Sequence, residues 1–434
     1  MSRVFSEREN TGRIDLEAVE MGLRTTLHQA GAAALGQLLA YPEPSTIQRQ
    51  LPCRCGHTAR YLDLREKTLT TVLGQARLRR PYYLCARCGE GQFPVDVELD
   101  VKETTKSPGV RRMLAAVGQE MPFDRGRQQM ELLADLEITA KEVERTAETI
   151  GADIAAGEAE QIQRAMQLDL PVLVGEPIAI QYVLMDGTGV PVVKAETVGR
   201  ASKAEGQPAH TREAKLGCVF TQTDWDPEGY PIRDSDSTTY VGAIETATEF
   251  GKRIYLEASR RGWSRAHKKV VLGDGAEWIW NIAEEHFPGA IQILDLYHAR
   301  QHLWDLARTL HPHEETQQKR WAMRQQDKLD NGQIEKLVRS LRSIEPATPE
   351  LAEKIRTEAD FFQKHAERMR YPDFRRQHLF VGSGVIEAGC KTVIGSRLKQ
   401  SGMFWTVRGA NAILALRCCL LNGRFEDYWA ARSA

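Results

Sequence analysis

Several features are scarce in this chain, and each scarcity excludes a class. None of its 434 residues belongs to a run of ~18 apolar positions, so no membrane span is expected. The N-terminal stretch MSRVFSERENTGRIDLE has no apolar signal core, so export is not expected either. The formal net charge is −1, which leaves no global basic field; a polyanion could be held only where Lys and Arg segregate locally. The 8 cysteines fall in spaced sets rather than a dense framework, which fits a reducing cytosol and metal binding better than disulfides. No internal repeat or low-complexity segment stands out. What is present is ordinary for a globular protein: 27% charged and 42% hydrophobic residues, in a chain long enough for roughly two to four domains.

The informative stretch is 180-IQYVLMDGTGVPVV-193, where an apolar run of strand type reaches Asp186 and turns on Gly187 and Gly189. A second unit, 269-KVVLGDGAEWIW-280, delivers Asp274 onto Gly275. A strand apolar on both faces is buried inside an α/β sheet, so an Asp at its C-terminal end is held at the sheet's mouth. A single Asp-Gly after a strand is ordinarily a turn cap. Two on neighbouring strands make a cation site, and 382-GSGVIEAGCK-391 supplies a third carboxylate, Glu387, on a helix for which Ser383 is the expected N-cap. Around these lie a strand at 215–222, an acidic turn-rich hairpin from Asp224 to Asp236, and a helix at 241–261. Ala276–Phe287 reads as a helix, Ile291–Leu294 as a strand, and a further helix begins at Asp295. Strands and helices in that order belong to an RNase H-like core. Residues 311–375 are polar and helical, an insertion before the chain returns to the core.

Upstream, residues 14–40 read as a helix stopped by Tyr41-Pro42-Glu43-Pro44. Two close cysteine pairs follow, Cys53-Arg-Cys55-Gly-His57 and Cys85-Ala-Arg-Cys88-Gly89, flanking a β-rich hairpin; that is the pattern of a zinc ribbon. The first pair is one residue shorter than CxxC, which leaves His57 as an alternative ligand to Cys53 or Cys55. Arg77, Arg79, Arg80 and Arg87 make this module basic enough to meet phosphates. Next, Arg111–Glu120 is helical, Asp124 is placed to cap a second helix to about Leu136, and Thr139 with Glu142 forms a capping box for a long third helix. Two helices across a short turn suggest helix-turn-helix; a plain helical bundle is the alternative.

After Glu387 the charge is one-sided. Lys391, Arg397, Lys399, Arg408, Arg417 and Arg424 occur with no Asp or Glu from Ala388 to Phe425, and Lys391 sits one turn beyond Glu387. Such a strip reads as a track for a DNA backbone, or as partner to acids of the insertion. Trp405 has two readings, stacking on an unpaired base or packing in the core beside Phe404.

Taken together, these residues resemble the DDE transposases of bacterial insertion sequences. Asp295-Leu-Tyr-His298 matches the C/D-x-x-H signature of the Mutator-like branch. The two knuckles, 181-QYVLMDGTGVP-191, 273-GDGAEWIW-280 and 396-SRLKQSGMFWTVRGANAIL-414 are similar to the ISKra group of that branch, over about residues 50 to 425. The resemblance implies a multidomain α/β chain: an N-terminal helical segment at 1–47, a zinc ribbon at 48–100, and a helix-turn-helix-like DNA-binding region with connector helix at 101–170. An RNase H-like catalytic core follows at 171–310 and 381–434, split by a helical insertion at 311–380; Asp274 and Glu387 are 113 residues apart (387 − 274), which leaves room for it. It further implies two Mg²⁺ (or Mn²⁺) ions on Asp186, Asp274 and Glu387, support from His298 and Asp295, and one structural Zn²⁺ on Cys53, Cys55, Cys85 and Cys88. DNA would be met by Lys391, Arg397, Lys399, Trp405, Arg408, Arg79 and Arg80. The implied activity is metal-dependent cleavage and strand transfer of terminal inverted repeats into target DNA, by a homodimer or larger assembly in the bacterial cytoplasm. The competing readings are a catalytically silent, domesticated DNA-binding protein and an RNase H-like nuclease without transposition.

Overall fold

The computed structural model describes residues 15–167, 175–200 and 209–432; the N-terminal run before residue 15 and the expected boundary near residue 170 lie outside them. The chain forms two compact units. One runs to Ile150 and takes in the chain again from Trp429; the other holds Gly151–Tyr428.

The first unit opens with α1 (Leu16–Leu38), whose first turn is capped by Asp15 accepting from the Ala18 amide at 3.2 Å. A four-stranded antiparallel sheet follows, ordered β1 (Gln50–Pro52), β2 (Thr58–Thr71), β3 (Gly74–Cys85) and β4 (Gly91–Gln92). The β2–β3 hairpin turns tightly before Gly74, which takes φ +100°, a conformation that costs glycine little. Leu69 and Leu78 from this sheet bury against Val95 of α2 (Pro94–Glu98) and against Val101. Three helices come next: α3 (Pro108–Glu120), α4 (Phe123–Ala134) and α5 (Ala140–Met166). The capping box at Thr139 is present: its amide donates to Glu142 Oε2 at 2.8 Å, and the Glu142 amide returns to Thr139 Oγ1 at 3.2 Å. Asp124 does not cap α4, which already begins at Phe123; its carboxylate instead holds Arg127 at 2.9 Å and Gln128 at 3.0 Å. Val110, Leu114, Met130, Leu136, Ile138 and Val143 join the three helices in one apolar cluster.

The second unit is mixed α/β. Its five strands are β5 (Ile178–Pro191), β6 (Thr211–Gln222), β9 (Thr239–Ala243), β10 (Ala266–Gly273) and β11 (Ile291–Leu294), ordered β11-β10-β5-β6-β9; β7 (Asp224–Trp225) and β8 (Pro231–Ile232) form a separate small hairpin. Strands β5, β6 and β9 run antiparallel, while β10 and β11 run parallel to β5. The apolar run 182–185 explains why β5 is central: Tyr182, Val183, Leu184 and Met185 are fully buried, as residues covered on both faces of a sheet must be. Strand β9 overlaps the start of the stretch expected to be helical, residues 241–261. Tyr240 and Val241 pair with β6 instead, and the helix, α6 (Ala247–Arg260), starts only where Thr246 caps it. Helices α7 (Glu277–His286) and α8 (Leu296–Leu310) follow β10 and β11.

An all-helical segment then intervenes: α9 (Glu315–Asp330), α10 (Ile334–Arg342), α11 (Pro349–Lys364) and α12 (Tyr371–Arg376). Buried Tyr371 ties it back to the sheet, its hydroxyl donating to the Leu294 carbonyl at 3.0 Å. α13 (Gly384–Gly389) widens into a π-helical turn over Cys390–Gly395 and closes with a last helical turn, Ser396–Leu398. Helix α14 (Val407–Leu421) covers the edge strand β9. Asn411 accepts from the Ile244 amide at 2.7 Å and Asn422 from the Tyr240 amide at 2.8 Å, so amides on the open edge are satisfied by side chains. α15 (Phe425–Arg432) is the last described element. No described helix is long and apolar enough to cross a membrane.

Candidate functional site

In-register parallel pairing sets β5, β10 and β11 side by side. Met185 pairs with Gly273, and Gly273 with Leu294, as the last partners of β5, β10 and β11. The next residue in each segment is an aspartate: Asp274 and Asp295 just past β10 and β11, and Asp186 within β5, which does not turn on Gly187 and Gly189 as expected but runs on to Pro191 paired with β6. Three carboxylates are thereby delivered to one edge of the sheet, the usual position for ligands in open α/β sheets.

Their surroundings differ. Asp186 is half-buried, with Oδ1 accepting from the Gly187 amide at 2.6 Å and Oδ2 from the Cys390 thiol at 3.3 Å. Burial raises its pKa most, and the negative charges of Asp274 and Glu387 raise it further, against those two hydrogen bonds. Asp274 closes a small turn by accepting from the Ala276 amide at 2.8 Å, at the entry to α7. Any side chain on Gly275 would collide with Phe361 of α11, so the helical segment packs directly on this turn. Glu387, on α13, is exposed, and its Oε1 takes the Ser383 hydroxyl at 2.9 Å. Ser383 therefore does not cap its helix through the side chain, as the sequence suggests; its hydroxyl is committed to Glu387.

Asp295 is fully buried and spends its oxygens on backbone: the His298 amide at 2.5 Å and the Ser383 amide. It acts as a tie between the start of α8 and the entry to α13. The His298 ring meets His302, Nε2 to Nε2 at 3.3 Å, and His302 Nδ1 donates to Glu358 Oε2 at 2.7 Å. Sequence reasoning overlooks Cys390, His302 and Glu358. The i, i+4 spacing of His298 and His302 was a legible signal; Cys390 and Glu358 carried none, because their partners are remote in sequence.

The basic residues divide by burial. Lys391, Lys399 and Arg408 are exposed, and Lys399 Nζ reaches Thr188 Oγ1 on β5 at 2.6 Å. Arg397 is entirely buried and Trp405 nearly so, with the guanidinium 5.0 Å from the ring centroid and the indole donating to the Leu398 carbonyl at 3.1 Å. Neither is presented to a ligand, which corrects the DNA contact expected of Arg397 and favours packing over base stacking at Trp405. Trp405 and the neighbouring Val193 also exchange backbone bonds with the end of β5 (Trp405 N to Pro191 O, 3.1 Å; Val193 N to Trp405 O, 2.9 Å), so this tryptophan belongs to the framework. In the first unit Arg79 is exposed, but Arg80 is buried in a bidentate pair with Asp96 (2.5 and 3.2 Å) and also donates to the Arg65 carbonyl at 3.1 Å, so its guanidinium is held in the interior rather than presented to phosphate.

In the ribbon, Gly56 (φ +80°) and Gly89 (φ +75°) turn the two knuckles back on themselves, their amides donating to the carbonyls of Cys53 (2.9 Å) and Cys85 (2.8 Å). The sulfurs of Cys53 and Cys88 lie 3.5 Å apart and those of Cys55 and Cys85 3.7 Å apart, and all four sulfurs lie within 4.8 Å of one another. The amides of Cys88 and then Arg87 point at Cys85 and lower its thiol to about 6. Four convergent thiols, one biased toward thiolate, make a donor set that can hold one zinc ion. His57 is exposed and outside the set, its Nδ1 3.1 Å from the Cys55 carbonyl oxygen. Among the described residues no carboxylate set converges as tightly as these thiols.

No known protein-family profile matches the chain, and no curated protein matches it. Among solved structures it is similar to the Drosophila P element transposase strand transfer complex, at 10% sequence identity and a TM-score of 0.26, over 79% of this chain and 84% of that chain. A likeness at that level carries no inference about activity.

Proposed function

We propose that this chain is a DDE-type transposase, in which Asp186, Asp274 and Glu387 serve metal-dependent cleavage and transfer of DNA strands. The observation that carries the reading is the placement of Asp186 and Asp274 directly after the last residue pair that joins the adjacent parallel strands β5 and β10, with the charge of Glu387 acting on Asp186. The strand order β11-β10-β5-β6-β9, with its antiparallel and parallel halves, supports an RNase H-like core, and the helices between α8 and α13 support an insertion.

The donor chemistry fits Mg²⁺. The three acids offer only oxygen, which suits a hard cation that keeps several waters. The sulfur beside them does not compete: burial first, then the charge of Asp186, push the Cys390 thiol far up, so it stays protonated and donates to Asp186. Bound Mg²⁺ would supply charge compensation at phosphorus and a more acidic attacking water. The chain's own groups do the positioning. Cys390 and the Gly187 amide orient Asp186, the Ala276 amide orients Asp274, and Ser383 orients Glu387. Exposed Lys391, Lys399 and Arg408 give the DNA backbone cationic contacts beside these acids. The zinc ribbon and the three-helix cluster of the first unit are assigned to recognition of the element's terminal repeats.

The test is a cleavage and strand-transfer assay on labelled DNA carrying the element's ends, with Mg²⁺ or Mn²⁺. Cleavage with strand transfer supports the transposase reading. Cleavage without joining leaves a nuclease, and end binding without either reaction leaves a DNA-binding protein.

A further inference from the structure

The chain from Glu358 through His302 to His298 is used only in part by the reading above, and its geometry is specific. His298 and His302 stand one turn apart on α8, and their Nε2 atoms face each other at 3.3 Å with the rings inclined at 75°. As a hydrogen bond this contact is long, beyond the roughly 2.7–3.2 Å range of N–H···O bonds. Two imidazole nitrogens bound at ~2.0–2.1 Å to one tetrahedral ion lie about 3.3–3.4 Å apart. The same bonds at a right angle, as on an octahedral ion, would place them at about 3.0 Å.

The support around the pair is of the kind metal-binding histidines have. His302 Nδ1 donates to Glu358 Oε2 at 2.7 Å, which makes Nδ1 the protonated nitrogen and leaves the Nε2 lone pair aimed at His298. Glu358 is buried and also holds Lys354 at 3.0 Å, so its carboxylate is fixed between two cation-side partners. Phe361 stacks flat on the His302 ring, centroids 4.1 Å apart, and fixes its plane. The His302 side chain is 28% exposed, so solvent reaches this imidazole.

We propose that His298 and His302 form a binding site for one tetrahedral dication of the zinc class, separate from the four thiols and from the three carboxylates, with Glu358 setting the His302 tautomer. Two nitrogens leave two positions for water or a phosphate oxygen.

The full chain, purified with zinc on its cysteines, is titrated calorimetrically with Zn²⁺ in excess Mg²⁺, which competes for the carboxylates. Wild type should take up one further equivalent, His302→Ala should lose it, and Glu358→Gln should bind it about 10–100-fold more weakly. Melting curves establish that the variants fold; should His302→Ala fail to fold, Glu358→Gln alone decides. Cu²⁺ in place of Zn²⁺ should show two coupled nitrogens by electron paramagnetic resonance in wild type. No further equivalent in wild type, or one that survives His302→Ala, or unchanged affinity in Glu358→Gln, overturns the site.

Discussion

Ser383 donates its backbone amide to the buried carboxylate of Asp295, 88 residues earlier in the chain, while its hydroxyl holds Glu387 at 2.9 Å. One residue thus couples the end of β11 to the helix that carries an acidic side chain of the candidate site. Asp295→Ala strands two backbone donors that had a charged acceptor, each such bond being worth about 1.5–3 kcal/mol. The expected loss in urea unfolding is about 3 kcal/mol or more, with Asp295→Asn losing less because one acceptor oxygen remains. A change within ~0.5 kcal/mol, the ordinary effect of a surface substitution, would show that the tie holds nothing.

Asp186→Asn, Asp274→Asn and Glu387→Gln should each lower cleavage by about 10²–10³-fold or more, the cost of removing one preorganised electrostatic element. Binding of the DNA ends should persist. The metal-free protein should respond in the opposite sense. Since the fold raises the Asp186 pKa, its ionised form destabilises the native state, and stability falls as pH rises past the unfolded value toward the raised folded one. Asp186→Asn should remove that fall and raise the metal-free melting temperature. Near-normal cleavage by Glu387→Gln would take Glu387 out of the site.

His365 supplies a pH signature of its own. Burial foremost, then Arg368, Lys364 and His302, push it down to about 4, against about 6.5 in an unfolded chain. The native state therefore holds it neutral while the unfolded chain takes up a proton. Stability from this group is complete above pH ~6.5 and is lost as pH falls toward about 4. Urea midpoints measured between pH 7 and pH 5 should drop less in His365→Gln than in wild type; equal slopes would assign the acid sensitivity elsewhere.

Cys85→Ser should release one zinc per chain and melt the β1–β4 sheet, because metal affinity in a small ribbon is also folding free energy. Elemental analysis with proteolysis of the first unit reads both effects. His57→Ala should change neither, since His57 stands outside the thiol set. Zinc content unchanged in Cys85→Ser would refute the centre.

Lys391→Ala and Lys399→Ala should each weaken DNA binding evenly across sequences and reduce the slope of log K against log salt by about 1. Arg397→Ala should act through folding instead, because that guanidinium is fully buried beside Trp405. Finding Arg397→Ala as stable as wild type but weaker on DNA would mean that the residue reaches the surface when DNA is bound.

The sequence by itself determined the local features. Consecutive apolar residues that end in Asp-Gly mark β5 and β10, since a strand's burial on both faces is written in adjacent positions. The paired knuckle cysteines and the Thr139 capping box are likewise short-range, and each is read without knowing what lies opposite. Tertiary structure alone decided the rest. The end of strand β9 hid at the start of a helical pattern because Val241, Gly242 and Ala243 are held by pairing to β6, which local periodicity does not report. Arg397, Arg80 and Trp405 look like surface residues by type, yet burial beside one another or beside Asp96 gives them interior partners. Asp295 follows β11 as Asp274 follows β10, but two backbone amides occupy its oxygens. The physical reason is common to all of these: propensity and periodicity act over a few residues, whereas desolvation and hydrogen-bond partnership depend on segments brought together only when the chain has folded.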